Sequence, residues 1–229
     1  MTFPCKLPAA LLPDCLLFLT FVTTMKITLT CIGKKYGREW IFRNVSHTFA
    51  DGSATVIMGS NGSGKSTLLQ VISGYIIPNE GTLEVANESI IETEKVHACF
   101  AFASPYLELM EEFTFRECVE FQQKFRGWQG GINTEKVIEL SGLKHASEKQ
   151  IRNYSSGMKQ RAKLTLAILS NAPVLLLDEP CSNLDKQAQE WYATLIGDFR
   201  ENRTVIVCSN QVKEEHFFCT ESLDINAYK

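Results

Sequence analysis

The chain has 229 residues, 45% of them hydrophobic and 21% charged, which suits one compact domain with its own core and excludes a disordered or fibrous chain. With a formal net charge of −3 it has no basic surplus to neutralise nucleic-acid phosphates, so no nucleic-acid partner is expected. No run reaches the roughly 18 to 20 apolar residues of a membrane span, the longest candidate being residues 15–22, behind Pro13 and Asp14.

Residues 1–24 differ in character from the rest of the chain. Lys6 is the one positive charge ahead of their apolar stretch and no small-residue cleavage pattern comes after it, which argues against a secretory signal. Met25 is expected to be the functional start of a domain over residues 25–229, with 1–24 an atypical leader; a membrane-surface or partner-docking leader is the competing reading. From Lys26 the pattern alternates, with Ile27, Leu29 and Cys31 on one face of a strand, and a second alternation sets Val45, His47 and Phe49 together. After Asp51-Gly52, residues 54–58 read as a buried strand running into a glycine-rich turn. A helix over 65–73 stopped by Gly74 and short strands over 82–85 and 89–91 come next.

From Phe113 the pattern turns helical: Phe115, Cys118, Val119, Gln122 and Phe125 keep i, i+3, i+4 spacing, broken at Gly130-Gly131. A helix over 134–140 closes at Gly142, and residues 104–158 are expected as an inserted helical subdomain. Beyond it come a helix over 156–169, a strand over 174–177, a helix over 186–200 and a strand over 204–208. The non-alternating apolar runs Val174-Leu175-Leu176-Leu177 and Val205-Ile206-Val207 suit parallel strands covered on both faces, giving an α/β class. Eight cysteines form no C-x-x-C pair and mostly lie in apolar runs, so they read as reduced core thiols of a cytosolic protein. The four histidines show no ligand spacing.

The segment Gly59-Ser60-Asn61-Gly62-Ser63-Gly64-Lys65-Ser66-Thr67 satisfies G-x-x-x-x-G-K-[ST] between a predicted strand and a predicted helix. Its glycines permit a path whose N–H groups turn toward one concavity, and the helix start adds partial positive charge there. Lys65 is placed to reach the β- and γ-phosphates of a nucleotide and the Ser66 hydroxyl to ligate Mg²⁺. Leu175-Leu176-Leu177-Asp178-Glu179 delivers two carboxylates at the C-terminal edge of a parallel strand, where ligands of such sheets gather. Asp178 suits Mg²⁺, and Glu179 suits polarising the water that attacks the γ-phosphate.

Tyr154-Ser155-Ser156-Gly157-Met158-Lys159-Gln160-Arg161 resembles the signature of the ABC ATPase family, and the resemblance spans residues 25–210. Two of the five core signature positions, Ser155 and Gly157, match strictly. The resemblance implies a P-loop NTPase core with a mainly parallel sheet, an antiparallel β subdomain and the inserted helical subdomain. It also implies ATP and Mg²⁺ as ligands and a head-to-tail dimer, homo- or heterodimeric, in which Ser155, Ser156 and Gly157 meet the nucleotide of the opposite subunit. Ser182-Asn183-Leu184-Asp185 resembles the family's inter-subunit loop, and Tyr36 stands where an aromatic stacks on adenine, with Trp40 the other candidate. Two positions depart from the family. Ser104 stands where a glutamine ligates Mg²⁺, and Asn210 where a histidine contacts the γ-phosphate; an amide neither titrates nor carries charge. Slow or partner-dependent turnover is therefore expected, with Glu179, Lys65 and Asn210 as the catalytic set. The resemblance implies a cytoplasmic subunit, peripheral on the inner face of the cell membrane, powering separate permease chains, in the manner of compact exporter subunits such as those of cytochrome c maturation. A cytosolic iron–sulfur assembly ATPase and a slow or non-hydrolysing ATP switch are the alternatives. Tyr106, Leu107 and Met110 are read either as a docking groove or as core of the helical subdomain.

Overall fold

The computed structural model describes residues 24–229 apart from Glu88 and residues 92–95; the expected leader lies outside the described residues except for Thr24. Two sheets form. Strands β1 (Lys26–Tyr36), β2 (Glu39–Phe49) and β4 (Glu80–Ala86) make an antiparallel sheet in the order β2-β1-β4. Strands β3 (Ala54–Met58), β5 (Phe100–Ala103), β6 (Val174–Asp178), β7 (Thr204–Ser209) and β8 (Glu221–Asp224) make a parallel sheet in the order β5-β6-β7-β3-β8. The α/β class and the division into parallel and antiparallel sheets match the expectation.

The apolar runs are explained by the two faces of the parallel sheet. Leu175, Leu177, Val205 and Val207 point into one core, shared with helices α2 (Phe115–Phe125), α3 (Thr134–Ser141), α4 (Ser156–Leu169) and α5 (Lys186–Phe199). Val174, Leu176, Ile206 and Cys208 point into a second core, shared with helix α1 (Lys65–Ile72) and the antiparallel sheet. Each fully buried Leu, Ile or Val is worth about 1.5–3 kcal/mol over exposure, so sequestering these side chains on both faces fixes the central strands rigidly. That rigidity matters because the candidate site lies at their C-terminal ends.

Between β5 and β6 the chain inserts α2, α3 and α4, each started by its own sequence. Thr114 and Glu117 form a reciprocal capping box on α2, the Asn133 side chain caps α3, and the Ser155 side chain caps α4. The predicted helix over 156–169 coincides with α4.

Three local expectations are corrected, and two elements are new. Cys31 is exposed with φ of 50°, because β1 bulges between Leu29 and Ile32 and sends Ile32 into the core instead. Phe125, at the C-terminal end of α2, is 75% exposed rather than on the buried face. The strand read over residues 89–91 reduces to one bridge between Ala86 and Ile90. Finally β8 and the short helix α6 (Lys213–His216) were not legible. Among the described cysteines, Cys99, Cys118, Cys181 and Cys208 are buried free thiols and Cys219 is partly buried. Among the described residues no helix is long and apolar enough to cross a membrane.

Candidate active site

Residues 59–67 link β3 to α1, and two glycines are needed where the loop folds closest on itself. A Cβ on Gly59 would lie 2.4 Å from Ser63 Oγ and 2.6 Å from Ile225 Cγ2. Gly64, at the N-cap of α1 with φ of 98°, holds a left-handed conformation that L side chains avoid. No side chain caps α1 and no acid lies in its first turn, so its N-terminal N–H groups keep their partial positive charge unanswered. Within the loop, among the described residues, only the Ser63 N–H donates to a protein acceptor, Ser60 O at 3.0 Å. Lys65 is 5% exposed and folds back across the concavity, donating to Gly59 O at 2.9 Å, Ser60 O at 3.0 Å and Asn210 Oδ1 at 2.6 Å.

Strand register brings the acids to this loop. Ala103 pairs with Leu177 and Asp178 with Cys208, so Ser104 arrives beside Asp178, and Asn210 beside Glu179. Asp178 is 1% exposed; its Oδ2 accepts from Ser104 Oγ at 3.2 Å, while its Oδ1 is buried without a partner. Burial holds this carboxyl above the ordinary aspartate range, against the opposing pull of hydrogen bonds from Ser66 and Ser104. An orphaned carboxylate oxygen with two hydroxyls beside it is an all-oxygen donor set, the kind a hard divalent cation such as Mg²⁺ prefers. Glu179 has φ of 44°, and its N–H donates to Cys208 O at 3.0 Å. Asn210 Nδ2 donates to Glu179 Oε1 at 2.5 Å, completing a chain from ammonium through amide to carboxylate. The amide is oriented by this network: its oxygen must face Lys65, which has no acceptor, and its nitrogen must face the carboxylate.

A second group forms around the start of α4. Ser155 and Ser156 are exposed, and the Ser155 hydroxyl accepts from the Met158 N–H at 3.2 Å. A Cβ on Gly157 would stand 3.1 Å from Asn183 O, and Gln160 donates to Pro180 O at 3.0 Å, so α4 leans on the segment that follows Glu179. Asp185 is the N-cap of α5, accepting from the Ala188 N–H at 2.8 Å. Among the described residues no hydrogen bond joins this group to residues 59–67. The structure thus gathers Lys65, Ser66, Ser104, Asp178, Glu179 and Asn210 in one place, while Ser155, Ser156, Gly157 and Asp185 belong to a second group that meets the segment following Glu179.

Of the two aromatic candidates, Tyr36 ends β1 with its ring half exposed and Lys34 Nζ 5.3 Å from the ring centroid. Trp40 is engaged by both Lys35 and Arg43, at 5.0 and 4.6 Å from its centroid. Tyr106 is 82% exposed, and Leu107 and Met110 are exposed too, so these side chains are not core. Tyr106 and Leu107 line a groove of about 560 Å³ together with Ser104, Phe100 and Phe102; Met110 stands outside that lining. Lys163 and Glu215 escaped the sequence reading. Lys163, on α4, donates to Ser104 O and Pro105 O at 3.1 and 2.9 Å, and Glu215 is buried behind Glu179 and Asn210. Nothing in their sequence neighbourhood separates them from surface charges.

The sequence model of a family described as ABC transporter matches residues 42–182, more than half of the chain. The chain belongs to the ABC transporter family. Within it, the chain is an ATP-binding, ATP-hydrolysing subunit of a transporter. The cytochrome c biogenesis ATP-binding export protein CcmA of Agrobacterium fabrum is 29% identical over 175 residues, 75% of this chain and 82% of the relative. The ABC transporter ATP-binding protein YybJ of Bacillus subtilis is 26% identical over 194 residues, 84% of this chain and 89% of the relative. In fold, the chain resembles the ATP-binding cassette MJ0796, solved as a dimer in a post-hydrolysis state with ADP and Pi. The TM-score is 0.74 at 22% identity, covering 86% of this chain and 93% of that one.

Proposed function

We propose that this subunit binds ATP with Mg²⁺ between residues 59–67 and the side chains of Ser104, Asp178, Glu179 and Asn210. Two such subunits then close head to tail over two nucleotides and drive export through separate membrane-spanning chains. One observation carries the nucleotide half of this reading: Lys65, Asn210 and Glu179 form a continuous hydrogen-bonded chain, at 2.6 and 2.5 Å, across the mouth of an uncapped helix N-terminus. Ser66 and Asp178, with Ser104 beside them, are the residues that would hold Mg²⁺, which when bound offsets negative charge on the phosphates. Lys65 exchanges its amide acceptor for phosphate oxygens. Glu179 orients the attacking water and takes its proton, and Asn210 donates to the γ-phosphate. Because the Asn210 amide carries no charge, turnover is slow without partners. Tyr36 stacks on adenine, its half-exposed ring being met by one cation, Lys34, where Trp40 is held by two.

The exposed Ser155 and Ser156, with the half-buried Gly157, at the start of α4 and without a hydrogen bond to residues 59–67 among the described residues, support a role on a nucleotide held by another subunit. Similarity to an export protein by name supports the direction of transport. The groove lined by Tyr106 and Leu107, with the exposed Met110 close by in sequence, suits a membrane partner, which would keep the subunit peripheral on the cytoplasmic face. Light scattering on the Glu179→Gln chain with ATP is expected to show a dimer that Ser155→Arg abolishes, and membrane pull-down is expected to recover a polytopic chain. A monomer at saturating ATP, or recovery with soluble iron–sulfur assembly proteins instead, would overturn the dimer or the export reading respectively.

A further inference from the structure

Glu215 takes no part in the chemistry above, yet it is 3% exposed and both its carboxylate oxygens are committed. Its Oε1 accepts from the Cys181 N–H at 3.2 Å, and its Oε2 accepts from Ser209 Oγ at 2.5 Å. Ser209 Oγ in turn accepts from the Val212 N–H at 3.2 Å. Cys181 lies two residues beyond Glu179, and Ser209 immediately precedes Asn210. One buried carboxylate therefore spans the two segments that carry the facing pair. Its own backbone is fixed as well, because Glu215 O accepts from the fully buried Tyr192 hydroxyl at 2.9 Å, on the helix that Asp185 caps.

We infer that Glu215 is a positioning residue for ATP hydrolysis, a clamp that holds the Glu179 turn against the Asn210 strand end. The inference rests on reading Glu179 and Asn210 as the hydrolysis pair. Two observations make such a clamp necessary. Glu179 sits at φ of 44°, a left-handed conformation that a non-glycine residue keeps only when its surroundings over-determine it. The turn after it closes through the Ser182 N–H on Glu179 O at 2.9 Å, and Glu215 fixes the Cys181 N–H inside that turn. Packing alone does not call for this residue, since taking a carboxylate out of water is unfavourable and an apolar side chain would fill the space at less cost. Burial, with Glu179 and Asp178 nearby, lifts its carboxyl to about 6, the hydrogen bonds from Ser209 and Cys181 pulling the other way. What the carboxylate adds over an apolar side chain is two acceptors at fixed positions.

The test uses the full-length chain, measuring MgATP turnover, ATP affinity by calorimetry and thermal unfolding for each variant. Glu215→Ala is expected to lower kcat about 10- to 100-fold, the range for a displaced catalytic group, with KM and the dissociation constant within about threefold. Glu215→Gln keeps an oxygen for the Cys181 N–H and an amide that can donate to Ser209 Oγ, and is expected to restore most of the lost kcat. Ser209→Ala, which removes one arm of the clamp, is expected to lower kcat while binding persists. The inference is overturned if Glu215→Ala turns over like the parent while Glu179→Gln is inactive. It is also overturned if Glu215→Gln is as slow as Glu215→Ala, or if binding and stability fall in step with kcat. A parental rate in Glu179→Gln overturns the assignment of Glu179, a result separable from every Glu215 outcome; should Glu215→Ala fail to fold, Glu215→Gln and Ser209→Ala decide.

Discussion

Replacing Asn210 by aspartate probes the candidate site with almost no change of shape. The parent amide accepts from Lys65 at 2.6 Å and donates to Glu179 at 2.5 Å. A carboxylate keeps the first contact, strengthened into an ion pair, and turns the second into a meeting of two anions. Two unit charges about 4 Å apart repel by about 4 kcal/mol at the effective dielectric near a protein surface. Glu179 is partly exposed, so solvent screening leaves on the order of 2 kcal/mol, equivalent to about 30-fold in rate. That repulsion drives the Glu179 carboxylate off the position in which the amide holds it, and the paired Lys65 is less available to phosphate. Phosphate release at pH 7.5 is therefore expected to fall at least about 30-fold, and calorimetry to show weaker ATP binding. Rates and affinities within twofold of the parent would refute the three-residue chain as the working arrangement.

The buried acids give two further outcomes. Asp178→Asn removes a buried carboxylate whose Oδ1 lacks a partner, and is expected to raise the melting temperature of the nucleotide-free chain by about 2–4 °C per kcal/mol relieved, while abolishing the Mg²⁺ dependence of ATP binding. Differential scanning calorimetry without nucleotide, and titrations with and without Mg²⁺, check both halves. The Glu215 carboxyl titrates near 6 in the folded chain against 4.5 ordinarily, so the folded state holds that proton to higher pH than the unfolded state. This group's contribution to stability is full below about 4.5 and is lost as pH rises through 6, a change of about 2 kcal/mol. Denaturant unfolding between pH 4.5 and 7 is expected to be flatter in Glu215→Gln than in the parent.

What was legible in the sequence is what local chemistry dictates. Residues 59–67 needed their glycines in a fixed order, and the apolar strand ending in Asp178-Glu179 announced its carboxylates because both faces of that strand are covered. Ser104 was placed by likeness to a family, but only the pairing of Ala103 with Leu177 explains why its hydroxyl reaches Asp178. The failures share a cause in tertiary structure. Cys31 continues an unbroken alternation, and no neighbouring residue signals the bulge that ejects it. Strand β8 buries one apolar side chain, Leu223, and forms because β3 offers it an edge. Glu215 sits among Lys213, Glu214 and His216 and reads as solvated charge. Only the fold shows that its side chain turns inward to the Cys181 N–H and the Ser209 hydroxyl.

The most direct test of the nucleotide pocket is an isothermal titration of ATP into the full-length chain, run with Mg²⁺ and with chelator, beside Lys65→Ala. Saturable binding that strengthens with Mg²⁺ and collapses in Lys65→Ala is the expected result. Equal heats for Lys65→Ala and the parent, or uptake indifferent to Mg²⁺, would contradict the placement of the triphosphate against Lys65, Ser66 and Asp178.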